Sequence, residues 1–161
     1  MVEEWHRLDS RNPGDWLLVP EVIRRLQLFI LEEYGRIPRD FVKNFIAHFA
    51  AWAVQADQVR MAVWVGLEGG RVVAHTLVEV STWHGETVLS VEQHASDKGH
   101  PYTREACLGI DREMVEWGRA LGVTEMRTVA RSPVLARVYR SLYGWREVVG
   151  RTFMRRDLIC R

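Results

Sequence analysis

Apolar residues recur at two different periods along the 161-residue chain, and each period predicts one class of element. Apolar residues spaced three and four apart lie on one face of a helix and therefore predict helices. Pro20, Pro38 and Pro133 stand near the starts of three of them. Runs rich in Val and Trp between turn residues predict strands. The predicted helices are 20–34, 38–57, 103–121 and 132–143, and the predicted strands are 16–19, 59–67, 72–83, 87–94, 124–130 and 145–158.

The order of these elements predicts the fold class. Gly69-Gly70 and His84-Gly85 separate three consecutive strands and predict two tight hairpins. The later helices return the chain across the sheet, which requires a parallel strand pair. We therefore predict one α/β (α+β) domain over residues 1–161, with a mixed central sheet in the order β-α-α-β-β-β-α-β-α-β.

Composition and charge narrow the classes of function. Hydrophobic residues are 47% and charged residues 27% of the chain, which is typical of a folded domain. Lys plus Arg is 22 and Asp plus Glu is 21, so we expect no bulk attraction to nucleic acid or membranes. Cys107 and Cys160 alone cannot form a disulfide framework, and the charged start resembles no secretory signal. We expect a cytoplasmic protein.

Two-residue turns also predict how the three strands pair. The first hairpin then pairs Arg60 with Glu79 and Trp64 with His75. The second pairs Glu79 with Ser90, Leu77 with Glu92 and His75 with His94; without a third ligand, the two histidines predict no metal site. One face is predicted to be polar, with Arg60, Trp64, His75, Glu79, Ser90, Glu92 and His94, and the other apolar, with Val63, Val78, Val80, Leu89 and Val91.

Residues near the C-terminal end carry a resemblance to a known family. They are the strand Thr128-Val129-Ala130, the stretch from Ser132-Pro133 to Gly144-Trp145, and the strand Thr152 to Leu158. With the element order, they resemble the GNAT family of acetyl-CoA-dependent N-acetyltransferases over essentially the whole chain. That family has a polar helix cap seven residues before a Tyr, which matches Ser132 and Tyr139. Tyr143 is one residue extra to the family pattern and is the alternative for the presented phenol.

The family also holds the pyrophosphate of CoA in a loop of the form Arg/Gln-x-x-Gly-x-Gly/Ala. Backbone N–H groups at a helix N-terminus and the helix dipole bind the anion there. This chain has Ser96-Asp97-Lys98-Gly99-His100-Pro101, in which Gly99 matches the central glycine. Ser96 replaces the basic or amide residue, and Pro101 has no N–H to donate. The loop is therefore degenerate, although Lys98, His100 and Arg104 supply positive charge.

The resemblance implies transfer of an acyl group from acetyl-CoA to an amine, which requires a base, donors for the oxyanion and an acid. It implies Glu92 as the general base and Tyr139 as the acid that protonates the thiolate, with a backbone N–H near Glu92 or Gln93 polarising the carbonyl. A solvated strand carboxylate and a core aromatic are the alternatives for these two residues. The implied cofactor-binding residues are Val91, Gln93, Lys98, Gly99, His100, Thr103 and Arg104.

Two functional hypotheses stay open. The first is an N-acyltransferase that acts on the amine of a small molecule or peptide, which Gly99 and Tyr139 favour. The second is a catalytically inactive GNAT-fold protein that acts as a binding or structural factor, which Ser96, Asp97 and Pro101 favour. The extended last strand also predicts an edge on which a homodimer could form.

Overall fold

The computed structural model describes Val2 and residues 4–51, 60–83, 85–97, 103–130, 133–147 and 153–157. The strands are β1 (Glu4–Arg7), β2 (Met61–Glu68), β3 (Arg71–Trp83), β4 (Glu86–Ser96), β5 (Glu125–Val129), β6 (Arg146–Glu147) and β7 (Phe153–Asp157). The helices are α1 (Pro13–Trp16), α2 (Val19–Tyr34), α3 (Phe41–Ala51), α4 (Arg104–Ala120) and α5 (Pro133–Tyr143). No helix in these ranges has the length and apolar content needed to cross a membrane.

The described strands form one mixed sheet in the order β1-β2-β3-β4-β5-β7-β6. β4 and β5 are parallel, and α4 is the crossover that such a pair requires. The other neighbours are antiparallel. The predicted α/β class with a mixed central sheet is therefore confirmed. The predicted last strand, 145–158, contains two described strands, of which β7 lies between β5 and β6, and β6 lies at the edge of the sheet.

The N-terminal part of the chain differs from the prediction. Residues 16–19 form no strand, because Trp16 ends α1 and Val19 begins α2. Asn12 caps α1 by accepting a hydrogen bond from the Gly14 N–H, and the proline that follows it is preorganised for a first helical turn. The edge strand is instead the polar β1, which pairs with β2 from Glu4 to Arg7.

Each face of the sheet carries its own hydrophobic core. On one face α4 and α5 pack against the sheet, and the buried residues include Trp64, Val78, Leu89, Ile110 and Met114. On the other face α2 and α3 pack against it, and the buried residues include Val22, Leu26, Phe49, Val63 and Val65. The sheet is thus enclosed on both sides, and the two faces are called the α4 face and the α2 face below.

The second hairpin keeps the predicted register only near its turn. Glu79 faces Ser90 as predicted, but β4 contains one extra residue, Glu92, which forms a bulge. A two-residue turn fixes the register only as far as the ladder is regular. Beyond the bulge the observed pairs are Leu77↔Gln93, Thr76↔His94 and His75↔Ala95, so the predicted Leu77–Glu92 and His75–His94 pairs are wrong.

A second bulge, between Gly66 and Leu67, shifts the register of the first hairpin. Met61 rather than Arg60 faces Glu79, and Trp64 faces Thr76 rather than His75. The predicted faces change accordingly. Trp64 packs with Val78, Val80 and Leu89 in the core of the α4 face, whereas Val63 packs under α2.

The packing predicts which leucine matters for stability. Leu89 is fully buried between β4 and α4, whereas Leu17 is 81% exposed. We expect Leu89→Ala to lower the free energy of unfolding by about 2–5 kcal/mol, because it leaves a cavity in a packed core. Leu17→Ala is the matched control and is expected to change it by no more than about 0.5 kcal/mol. Urea unfolding measures both, and equal effects would contradict the described core.

Candidate functional site

The parallel pairing of β4 and β5 ends part of the way along β4. Its ladder runs from Val88↔Glu125 to Val91↔Thr128, whereas β4 itself continues to Ser96. At the last pair, the Thr128 hydroxyl donates a hydrogen bond of 3.1 Å to the Val91 carbonyl oxygen. β5 ends at Val129, so from Glu92 onward β4 runs beyond its parallel neighbour, and the opening beside this part of β4 is called the splay below.

A cavity of about 480 Å³ lies at the splay on the α2 face. The end of α2, the bulge of β4, the end of β5 and a side chain of α5 form its walls. Its lining residues are Phe29, Glu33, Tyr34, Ser90, Val91, Glu92, His94, Arg127, Thr128, Val129 and Tyr139. Both residues predicted to be catalytic, Glu92 and Tyr139, line this main cavity.

A smaller hollow of about 20 Å³ lies on the α4 face of the same splay. Ile110, Asp111 and Met114 of α4 line it together with Tyr143 and Trp145. Four residues line both the main cavity and the hollow, namely Val91, His94, Thr128 and Tyr139. The two spaces therefore adjoin at the splay.

Glu92 is the carboxylate that the bulge turns into the main cavity. Partial burial raises the pKa of Glu92, and the negative charge of Glu79 raises it further. Glu92 therefore holds a proton more readily than an ordinary glutamate does. A carboxylate of this kind is suited to accept a proton from a bound cation.

Tyr139 and Tyr143 take different positions at the splay. Tyr139 lines both the main cavity and the hollow, whereas Tyr143 lines the hollow only. The Tyr143 hydroxyl hydrogen-bonds the thiol of Cys107, and burial together with this bond raises the pKa of Tyr143. The position of Tyr139, at the junction of the two spaces, makes it the better candidate for a phenol that meets reacting atoms.

Val91 and Gln93 flank the bulge on β4. Val91 lines the main cavity and the hollow. The Gln93 side chain is buried, and its amide oxygen accepts a hydrogen bond of 3.3 Å from Nε2 of His75. Burial lowers the pKa of His75 to about 4, so the ring is neutral at physiological pH. Because the Gln93 side chain is occupied in this way, Gln93 would meet a ligand through its backbone.

The N-terminus of α4 is capped at Thr103, whose hydroxyl accepts a hydrogen bond of 3.1 Å from the Ala106 N–H. Arg104, the first residue of α4, is exposed. Of the other predicted cofactor-binding residues, Lys98, Gly99 and His100 lie outside the described residues. Thr103 and Arg104 thus stand where the predicted loop enters the helix.

Asp97, at the start of that loop, is held by a residue that sequence patterns did not single out. The buried Arg25 of α2 contacts the Asp97 carboxylate at 2.6 Å and the Val72 carbonyl oxygen at 3.0 Å. It also bonds Glu21 one turn earlier on the helix, at 3.1 Å. The charge of Asp97 is therefore compensated by a guanidinium, which lessens its repulsion of a phosphate.

His94 was also placed wrongly by the predicted register. Its Nδ1 lies 2.6 Å from the Thr76 hydroxyl oxygen, and its ring stacks on Trp5 with 6.2 Å between centroids. Trp5 is fixed in turn, because its indole N–H donates to the Ala106 carbonyl oxygen of α4 at 2.9 Å. The contacts with Thr76 and Trp5 thus fix the position of the His94 ring between the main cavity and the hollow.

Comparison with solved structures shows that acetyltransferases share this fold. A predicted acetyltransferase of Clostridium acetobutylicum, crystallised with acetyl-CoA, is 16% identical, with a TM-score of 0.63 over 91% of this chain and 92% of that one. An aminoglycoside acetyltransferase from an uncultured soil metagenomic sample, in complex with sisomicin, is 16% identical, with a TM-score of 0.65 over 91% of each chain. The chain has a GNAT-like fold.

A third neighbour comes from an AtaT–AtaR complex bound to DNA. It is 14% identical and has a TM-score of 0.52 over 66% of this chain and 73% of that one. No family model matches the sequence, and no curated protein matches it either. The comparisons therefore establish the fold, and the site itself must support any function.

Proposed function

We propose that the chain is an N-acyltransferase that moves an acetyl or other acyl group from CoA to the amine of a small molecule or peptide. The observation that carries the proposal is the splay of β4 and β5. There a cavity with a carboxylate wall on one face of the sheet meets a hollow on the other, with Tyr139 at the junction. Two substrates that approach from opposite faces can meet at such a point, which supplies proximity and orientation.

The side of the sheet that carries α4 suits an acyl-CoA. When bound, acyl-CoA supplies a thioester whose carbonyl carbon is open to attack by an amine. Thr103 and Arg104 at the start of α4 would hold its phosphates, together with Lys98, Gly99 and His100 of the preceding loop. The backbone of Val91 and Gln93 would hold the arm that carries the thioester along the splayed edge of β4. The Arg25–Asp97 ion pair lessens the repulsion between the Asp97 carboxylate and these phosphates.

The main cavity suits a positively charged amine. Glu92 and Glu33 give it negative charge, while Phe29 and Tyr34 give it aromatic walls. Arg127 also lines the cavity, but its guanidinium is bonded to the buried carboxylate of Glu125. The acceptor is therefore proposed to bind as an ammonium ion and to be deprotonated in place.

Glu92 and Tyr139 then divide the proton transfers between them. Glu92 accepts one proton from the ammonium group, so that the nitrogen lone pair can attack the carbonyl carbon and form the new C–N bond. A backbone N–H near Glu92 or Gln93 polarises the carbonyl. When the C–S bond breaks, Tyr139 gives its proton to the departing sulfur, and the nitrogen releases its remaining extra proton to solvent. Glu92 then releases its proton to solvent and solvent returns one to Tyr139, so both side chains are restored and the products are an amide, free CoA and one proton.

The experiment that tests this function is transfer to a panel of primary amines. Release of the CoA thiol is followed with acetyl-CoA as donor, and the mass of the amine is measured by mass spectrometry before and after the reaction. The proposal expects thiol release that depends on the amine and an amine heavier by one acetyl group. Thiol release at the same rate without any amine would show hydrolysis instead. A cytoplasmic location stays a prediction.

A further inference from the structure

The end of β4 is supported on one side only. From Gln93 to Ser96, the described residues pair β4 with β3 alone, because the ladder to β5 stops at Val91. The proposed function places the thioester arm of acyl-CoA along the opposite edge of this segment. Backbone groups at a strand edge bind an extended ligand only where the strand holds them in position. The contacts that fix the end of β4 therefore matter for acyl-CoA binding.

Arg25 of α2 joins this end of β4 to two other elements. Its Nη2 lies 2.6 Å from the Asp97 carboxylate and donates a hydrogen bond of 3.0 Å to the Val72 carbonyl oxygen of β3. Its Nε donates to the Glu21 carboxylate, one turn earlier on α2, at 3.1 Å. The guanidinium thus connects α2, β3 and the residue that follows β4.

Asp97 is held by its backbone as well as by its side chain. Its N–H donates a hydrogen bond of 2.9 Å to the Val73 carbonyl oxygen, which continues the β3–β4 pairing beyond Ala74↔Ser96. The Arg25 side chain is only 5% exposed, and a planar guanidinium with several acceptors has little freedom to move. Arg25 is therefore a fixed anchor for Asp97, unlike an ion pair between two mobile surface side chains.

We propose that Arg25 is a positioning residue for acyl-CoA. Through Asp97 it fixes the end of β4, and with it the backbone edge on which the thioester arm binds. This inference rests on the proposed function. Arg25 is not among the residues that line the main cavity or the hollow, so it acts through Asp97 and not by touching a substrate. The role also gives a reason for a carboxylate beside a phosphate site, where its charge alone would weaken binding.

Asp97→Ala separates this role from a purely electrostatic one. If Arg25 did no more than offset the charge of Asp97, removing the carboxylate would leave acetyl-CoA binding unchanged or make it tighter. If Arg25 acts through Asp97, the same substitution breaks the connection and weakens binding. We expect the Kd for acetyl-CoA to rise by about 10-fold, within the range of substitutions that act through a packed network. Calorimetric titration well below the unfolding midpoint measures it.

Arg25→Gln breaks the same connection from the other side and is expected to raise the Kd by a similar factor. The double variant Arg25→Gln/Asp97→Ala should bind no more weakly than either single variant, because the two substitutions remove one interaction. Arg24→Gln is the matched control. Arg24 precedes Arg25 on α2 and bonds the same Glu21, at 2.6 Å, but is 55% exposed. Its Kd is expected to equal that of the wild type.

Steady-state kinetics distinguish positioning from a loss of stability. The KM for acetyl-CoA is expected to rise in Asp97→Ala and Arg25→Gln, while kcat at saturating acetyl-CoA changes little. Partial unfolding alone would lower the active fraction, and hence the apparent kcat, and would leave KM unchanged.

Three results would overturn the inference and leave the proposed function intact. They are tighter or unchanged binding by Asp97→Ala, unchanged binding by Arg25→Gln, and a double variant in which the two effects multiply. Absence of acetyl-CoA binding and of transfer by the wild type would instead refute the proposed function, and this role with it.

Discussion

Replacing Tyr139 by Phe is expected to lower kcat by about 10²-fold while leaving acetyl-CoA binding nearly unchanged. General acid catalysis contributes about 10²–10⁴-fold, and the low end applies because a thiolate is a good leaving group. The substitution keeps the ring that packs against Trp145, with 5.8 Å between centroids, so the fold should persist. Steady-state turnover and calorimetric titration with acetyl-CoA measure the two quantities separately.

Tyr143→Phe is the matched substitution for this test. Tyr143 lies next to Tyr139, with 6.1 Å between ring centroids, and its hydroxyl bonds Cys107 rather than facing the main cavity. Its loss is expected to lower stability by about 1 kcal/mol, the usual contribution of one hydrogen bond. If Tyr143→Phe abolished turnover and Tyr139→Phe did not, the presented phenol would be Tyr143 and the assignment of the acid would be wrong.

Replacing Glu92 by Gln is the second large effect. We expect kcat/KM for the amine to fall by about 10²–10⁴-fold at neutral pH, because the proton acceptor is lost and the shape is kept. In the wild type, kcat/KM should rise with pH as Glu92 loses its proton. Because burial and Glu79 raise the pKa of Glu92, that rise should lie at a higher pH than an ordinary glutamate would give.

Glu79→Gln isolates the electrostatic part of this prediction. It removes the neighbouring negative charge, which lowers the pKa of Glu92 and moves the acidic limb of the pH profile to lower pH. The limb should vanish in Glu92→Gln. If the acidic limb of kcat/KM against pH stayed at the same pH in Glu79→Gln and in Glu92→Gln, another ionisable group, such as the amine itself, would control it.

The elements that the sequence predicted well are those whose signals are local. Helical periods located most of α2, α4 and α5, and Gly69-Gly70, both with positive φ, formed the predicted hairpin turn. Strand β1 was missed because a four-residue polar edge strand has no apolar alternation. Residues 16–19 were misassigned because an apolar run of four does not distinguish a strand from a helix start.

For the candidate site, the sequence predicted individual lining residues but not the strand register that arranges them. Glu92 and Tyr139, widely separated along the chain, do line one cavity. The bulges at Glu92 and at Gly66 were not predictable, because the alternation of apolar and polar residues does not show where a strand contains an extra residue. The same shift decides that Thr76 faces His94. The contact of Arg25 with Asp97 depends on how α2 packs over the sheet, which no local pattern specifies.

Binding of acetyl-CoA to the purified protein is the most direct test of the central claim, that the splay of β4 and β5 is an acyl-CoA site. Calorimetric titration should give one site per chain with a Kd in the micromolar range, on the order of −8 kcal/mol. The ligand should also raise the midpoint of thermal unfolding, because it binds the native state alone. Absence of heat and of any thermal shift up to millimolar acetyl-CoA would contradict the claim and favour a GNAT-fold protein without catalytic activity.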